Sequence, residues 1–333
     1  MSDPAPSSPA GLQCGVVMIG RNEGERLRRC LVSCADAALR VYVDSDSTDG
    51  SRELARALGV ETLALDLSRG FTAARARNAG FARLLQLRPE LEFVMFVDGD
   101  CEIVPGWIPD ALAALRARPE VVGVCGRRRE RFPDASVYNR LCDIEWDTPP
   151  GEAKAFGGDA VVRVAALRAA GGYRDDLIAG EEPELCVRLR ARGWNIHVID
   201  EEMTLHDAAM TRFRQWWLRI LRSGYAYAEG VHLHGAPPER HGVQALRSAL
   251  AWALGIPAAT LLAIALAGPW GAGLLLAYPL QMIRLFLKTN GDGRNRAIRA
   301  IFLVLGKFPE AQGALRYWRL RTLRRSGPLI EYK

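Results

Sequence analysis

No CxxC pair and no regular cysteine spacing occur in this chain, although it holds 7 cysteines among 333 residues. That absence argues against a structural zinc centre, and the odd count argues against a complete disulfide framework. Four of the seven lie in apolar or helical runs, so reduced, buried thiols in a cytosolic setting are expected. A basic stretch leading into an apolar core is missing from the first residues; Met1–Gly11, rich in Pro, Ser and Ala, is expected to be a disordered leader rather than a signal peptide. There is no internal repeat and no recognised nucleic-acid-binding motif. No Gly-rich loop bearing several cations follows the first apolar run, where Gly20-Arg21-Asn22-Glu23 stands instead. That weighs against a nucleotidyltransferase.

What is present is an ordinary globular composition, 49% hydrophobic and 25% charged. The length allows one large domain with an appendage, or two domains. The net charge of +6 is unevenly spread: residues 284–333 carry 12 Lys/Arg against 3 Asp/Glu, a balance of +9, which leaves −3 for the rest. A basic end of this kind fits nucleic acid or an anionic membrane face.

From Gln13 to about His197, short apolar runs alternate with amphipathic stretches. Strands are expected at Gly15–Ile19, Val41–Val43, Glu61–Leu65, Phe93–Val97, Val121–Gly126 and Ile196–Ile199. Helices are expected at Glu25–Ala38, Ser51–Leu58, Thr72–Leu87, Pro109–Arg118, Pro183–Arg192 and Thr211–Glu229. Such alternation predicts an α/β fold, a largely parallel sheet with helices on both faces. Arg127–Ala155, with Pro149-Pro150-Gly151, reads as a long functional loop.

The second half changes character. Ser248–Gly268 is about twenty apolar residues, enough to cross a hydrocarbon core of ~30 Å. Gly271–Leu287 is a second run, interrupted by Gln281 and Arg284. The connector carries no charge and both outer flanks are basic, so the expectation is a membrane hairpin with cytoplasmic ends. The alternative is a buried helical subdomain. Arg296–Arg325, with apolar residues spaced among arginines, is expected to lie on an anionic leaflet. The domains expected are therefore a leader at 1–12, a catalytic domain at 13–235, a membrane hairpin at 245–290 and a basic amphipathic tail at 291–333.

Chemistry concentrates where strands end. Asp98-Gly99-Asp100 follows Phe93–Val97 directly, and ligands of open α/β sheets bind outside the carboxyl ends of the strands. Two carboxylates one residue apart at such an end can hold a hard divalent cation, which in turn neutralises a diphosphate. Gly20, Asn22 and Glu23 stand at the end of the first strand, and Asp44 and Asp46 at the end of the second, where a nucleotide would lie. Asp44 can accept from a base N–H or a ribose hydroxyl, while Ser47 and Asp49 can cap the next helix. In Ala76-Arg77-Asn78-Ala79-Gly80 small residues permit close packing on the sheet, and Arg77 offers a fork for phosphate.

Together these segments resemble family 2 glycosyltransferases with the GT-A fold, over about residues 14–210. The matching pieces are Asn22-Glu23, Val43–Gly50, Ala76–Gly80, the DxD Asp98-Gly99-Asp100, Gly157-Gly158-Asp159 and Gly180-Glu181-Glu182-Pro183-Glu184-Leu185. The resemblance implies a Rossmann-like mixed sheet and inverting transfer of a sugar from a nucleotide-diphosphate donor with Mg2+ or Mn2+. It implies Asp98, Asp100 and His206 as metal ligands, with Gly158 on the donor site. The chain departs from the family pattern in having Ser45-Asp46 in the second block and Glu-Glu where Glu-Asp is common.

Glu182 is also singled out by local physics. At the N-cap before Pro183 a glutamate is a poor choice, so capping does not explain it. An inverting displacement needs a carboxylate to take the acceptor hydroxyl's proton. Glu182 is the candidate base and Glu181 the alternative. The function expected is sugar transfer to a lipid-linked or glycan acceptor at the cytoplasmic face of the inner membrane, in surface polysaccharide assembly. A non-catalytic membrane scaffold retaining a sugar-nucleotide fold, or a nucleotidyltransferase, is the alternative. No nucleic-acid partner is expected.

Overall fold

The computed structural model describes residues 13–323. The expected leader and the last residues of the expected tail, Arg324 and Arg325 among them, lie outside the described residues. The chain divides into two compact units. One takes in residues up to Arg131 with Trp146–Leu177 and Glu181–Asp207; the other takes in Phe132–Glu145, Ile178–Gly180 and the chain from Ala208 onward.

The first unit is built on a nine-stranded mixed sheet. Its parallel half comprises β1 (Cys14–Gly20), β2 (Leu39–Asp44), β3 (Glu61–Ala64) and β4 (Phe93–Asp98), in the order β3-β2-β1-β4. Right-handed crossovers are the rule for such strands, and here α1 (Glu25–Ser33), α2 (Ser51–Ala57) and α3 (Ala73–Leu87) supply the connections. The other half adds β5 (Cys101–Ile103), β6 (Val121–Glu130), β7 (Gly151–Ala153), β8 (Ala160–Arg163) and β9 (Asn195–His206). β8 runs antiparallel to β4 and β6, β9 parallel to β6, and β5 and β7 antiparallel to β9. The unit is completed by α4 (Trp107–Ala117), α6 (Val164–Ala170) and α7 (Glu181–Arg190).

The core lies between sheet and helices. Val16, Val17, Met18, Val94, Met95 and Val97 are sealed from solvent, as continuous apolar strands covered on both faces must be. α3 presents its small residues to the sheet. A Cβ on Gly80 would run into Val17 Cγ1 and lie 2.9 Å from Val43 Cγ2, so the helix sits directly on β1 and β2. The expected parallel strands are all present. The stretch expected as a loop after Gly126 is ordered instead: β6 continues to Glu130, and β7 follows in the same unit. Three consecutive arginines hid that strand, because register shifts between Cys125 and Arg128 break its alternation where it pairs with β9.

In the second unit, α5 (Val137–Glu145), also unexpected, joins α8 (Phe213–His234), α9 (Val243–Leu250), α10 (Ile256–Ala267), α11 (Ala277–Lys288), α12 (Gly293–Leu305) and α13 (Lys307–Thr322). α13 lies along α8 and buries Pro309, Ala311, Gly313, Ala314 and Tyr317. Part of the expected tail thus packs against α8, while Leu315 and Leu323 stay exposed. The grouping also differs from the expected catalytic domain: α8 associates with the C-terminal helices, and the sheet unit ends at Asp207.

Val243–Lys288 is the one stretch among the described residues long and apolar enough to cross a membrane, by length and composition. It turns at Gly268, whose φ of 69° a side chain would resist. A Cβ on Gly271 would meet the backbone of Ile264 and Ala263, and the Tyr278 hydroxyl donates to Trp252 O at 2.7 Å. The two legs therefore pack side by side. Leu266 is 79% exposed and Trp270 89% exposed.

Candidate active site

The site is assembled where β1, β2 and β4 end and where β9 returns beside β5 and β6. The turn Asp98-Gly99-Asp100 is pinned to β1 by Gly99 N–H, which donates to Ile19 O at 2.8 Å. A Cβ at residue 99 would sit 3.1 Å from that same carbonyl, so the approach favours glycine.

Asp98 is held by Arg77, whose Nη2 donates to Asp98 Oδ1 at 2.8 Å while Nη1 donates to Glu181 Oε1 at 2.8 Å. Burial opposes the charge on Arg77, but Asp98 and Glu181 outweigh it and push its pKa up. The guanidinium, 3% exposed, thus clamps two carboxylates together. The fork expected for phosphate is engaged by these two carboxylates in the structure. A Cβ on Gly158 would stand 3.0 Å from Asp98 Oδ2 and 3.4 Å from both Arg77 Nη2 and Arg128 Nη2. Only a residue without a side chain leaves room there.

Asp159, the last residue of the Gly157-Gly158-Asp159 motif, and Arg128, which sequence reasoning did not single out, form the floor. Asp159 is wholly buried; its Oδ1 accepts from Asp98 N–H at 3.2 Å, and its Oδ2 accepts from the Thr204 hydroxyl at 2.9 Å and pairs with Arg128 Nη2 at 2.9 Å. Arg128 resists burial through Asp159, which raises its pKa. Its guanidinium carbon lies 5.5 Å from the centre of the Trp146 ring. The signal available in the sequence was the arginine run closing β6, masked by the expectation of a loop.

Asp100 and His206 meet on the other side. His206 Nε2 is 3.2 Å from Asp100 Oδ2, and Trp146 stands edge-on to the imidazole with centroids 4.6 Å apart. Ligand atoms of Asp100, Cys101 and His206 lie within 4.8 Å of one another, a donor set of oxygen, sulfur and nitrogen that fits a divalent ion. Asp98 lies outside that group, one of its oxygens held by Arg77. The thiol of Cys101 is pushed well up by burial and then by Asp159.

Glu182 sits at the first turn of α7, which starts at Glu181, two residues before the expected Pro183. Its Oε1 accepts from Phe156 N–H at 2.8 Å and from the Cys186 thiol at 3.0 Å. Burial raises its pKa, and the bonds from Cys186 and the backbone work against that rise. Glu181 Oε1, in contrast, is taken by Arg77.

The residues expected around the nucleotide divide into two kinds. Asp44 is wholly buried: it accepts from the Tyr42 hydroxyl at 3.0 Å and from Asp46 and Ser47 N–H at 3.1 and 3.0 Å, and Arg52 Nε is 3.4 Å away. These contacts brace the loop that follows β2. Asp46 is exposed and holds φ 71°. Asn22, at φ 56°, ties the first two strand ends together, its Oδ1 accepting from Thr48 N–H at 2.8 Å and its N–H donating to Ser47 Oγ at 2.9 Å. Glu23 pairs with Arg26 at 2.8 Å, and a Cβ on Gly20 would come 3.2 Å from Glu23 Cγ.

Comparison with known proteins bears on this geometry. The family model described as "Glycosyl transferase family 2" matches residues 15–177. Pre-mycofactocin glycosyltransferases of two Mycobacterium tuberculosis strains, CDC 1551 and H37Rv, are 28% identical over 229 residues, covering 64% of this chain and 46% of theirs. The chain thus spans less than half the length of the curated relatives it matches. Among solved structures, a mannosyltransferase from Pyrobaculum calidifontis in complex with GDP-Man and Mn2+ superposes with a TM-score of 0.64 at 19% identity, covering 91% of this chain and 87% of that one. The likeness shows the fold, a GT-A mixed sheet.

Proposed function

Because residues 15–177 belong to glycosyl transferase family 2, we propose that this chain is an inverting, metal-dependent glycosyltransferase, with a nucleoside-diphosphate sugar as donor. The acceptor is a lipid-linked or glycan hydroxyl at the cytoplasmic membrane face, in surface polysaccharide assembly. The observation that carries the reading is the gathering of Asp98, Arg77, Glu181 and Glu182 with the Asp100–His206 pair at the rim of one sheet.

Asp100 and His206 would hold the divalent ion, Mg2+ or Mn2+. When bound, the ion neutralises the charge that builds on the departing diphosphate. Asp46, Asn22, Glu23 and Gly20 shape the nucleotide end of the cleft. Asp98, fixed by Arg77, presents its second oxygen toward the donor's sugar hydroxyls beside Gly158. Glu182 accepts the proton of the acceptor hydroxyl as that oxygen bonds to the anomeric carbon and the carbon–diphosphate bond breaks from the opposite face. Glu181 is the weaker candidate for the base because an arginine occupies its oxygen. The exposed apolar legs at Leu266 and Trp270, flanked by the basic C-terminal end, support attachment to an anionic bilayer face.

A screen of nucleotide sugars for metal-dependent thermal stabilisation, followed by transfer assays on the stabilising donor, tests the assignment. Glu182→Gln should still be stabilised by donor and metal yet transfer sugar roughly 100-fold slower or less. Near-normal turnover in that variant would remove Glu182 from the mechanism.

A further inference from the structure

Strand register places more than one unusual donor beside His206. Cys101 pairs directly with His206 across the antiparallel β5–β9 ladder, and Glu130 pairs with His206 across the parallel β6–β9 ladder. Directly opposed residues share a sheet face, so thiol, imidazole and carboxylate stand in a row on one side of three adjacent strands. Asp100 closes the group: its Oδ1 is 3.7 Å from Cys101 Sγ and its Oδ2 is 3.2 Å from His206 Nε2. The other imidazole nitrogen, Nδ1, faces Glu130 Oε2 at 3.9 Å. That is beyond hydrogen-bond distance, so the carboxylate biases the imidazole through its charge alone.

Hard oxygen ligands alone would suit Mg2+; a thiolate among them favours softer ions. We propose that Cys101 is a third protein ligand of the ion site, which therefore takes thiophilic ions such as Zn2+ and Co2+ through Asp100 Oδ, Cys101 Sγ and His206 Nε2. The inference deepens the functional reading and rests on it for two of the three ligands. Donor atoms no more than 4.8 Å apart need shifts of about one ångström to reach the ligand spacing of roughly 3.5 Å around a tetrahedral ion. On binding, the ion takes the place of the thiol proton, which passes to solvent; no electron is exchanged. Cys101 is wholly buried beside Asp100, so it is screened from oxidants while within reach of the ion.

The purified full-length chain is titrated with Co2+ and followed by near-ultraviolet absorbance, with Mn2+ binding followed in parallel by electron paramagnetic resonance. A thiolate-to-cobalt charge-transfer band is expected in the parent protein and in Cys30→Ser, whose thiol lies near Asp98 O but outside the donor group. In Cys101→Ser the band should vanish, and the affinity for Zn2+ relative to Mn2+ should fall by about tenfold or more. Mn2+ binding without any thiolate band, or a band that survives Cys101→Ser, would overturn the inference and leave the transferase reading intact. Failure of the parent protein to bind either ion would overturn both.

Discussion

Glu182 is where a single side chain's environment sets a measurable property. Burial raises its pKa, so the carboxylate stays protonated to a higher pH than a solvent-exposed glutamate. A base works only when deprotonated, so the rate must fall as pH drops through that raised value. The acidic limb of kcat should therefore lie above the ordinary value of 4.5. The Cys186 thiol donates to Glu182 and holds the rise down; in Cys186→Ala the limb should move further toward neutral pH. A limb that stays put in that variant would mean another group titrates. The residue types at the site were legible in the sequence because carboxylates at strand ends carry their own rationale, but their pairings were not. Asp44 and Arg77 look alike to Asp46 and Arg128 as isolated letters. Only packing showed that Asp44 is spent on Tyr42 and the loop N–H groups, and that Arg77 is spent on Asp98 and Glu181.

Among the elements, strongly periodic ones were legible and locally ambiguous ones were not. The apolar β-strand runs and the α3 helix follow from spacing and turn residues. β5 is three residues long, and β9 continues past its expected apolar start at Ile196–Ile199 through Asp200-Glu201-Glu202, so neither β5 nor that extension carries the hydrophobic signal of a strand. Yet these two strands bring Cys101 beside His206. The α8–α13 crossing also shows what periodicity cannot reveal. A Cβ on Gly224 would land on the carbonyl of Glu310, and one on Gly313 would land on the carbonyl of Leu221. In an isolated helix, Gly→Ala gains about 1 kcal/mol of propensity. At this crossing the backbones must separate instead, and overpacking costs about 1–3 kcal/mol. Gly224→Ala should therefore lower the thermal midpoint, with Gly313→Ala behaving alike; a raised midpoint would mean the helices are not so closely apposed.

At the scale of the whole molecule, charge and apolar surface are distributed by region. The last fifty residues carry +9, whereas residues 1–283 sum to −3. The legs of the Val243–Lys288 stretch leave large apolar side chains in the open, and exposed apolar surface on this scale marks a membrane or partner contact. Because α13 packs on α8, cutting the chain before the apolar stretch would strip the second unit of its own core. The cleaner test replaces residues 251–288 with a short Gly/Ser linker and keeps α12 and α13. That protein should no longer float with anionic vesicles, while the parent protein does; flotation that persists would place the membrane contact elsewhere.

One ion shared by Asp100 and His206 and by the donor's diphosphate is central to the proposed transfer. The direct measurement is Mn2+ binding by electron paramagnetic resonance, with and without the stabilising nucleotide sugar, in the parent protein and in Asp100→Asn at matched folding stability. Binding that tightens with donor in the parent and is lost in Asp100→Asn is the expected result. Equal Mn2+ binding in the two proteins, indifferent to the donor, would contradict it.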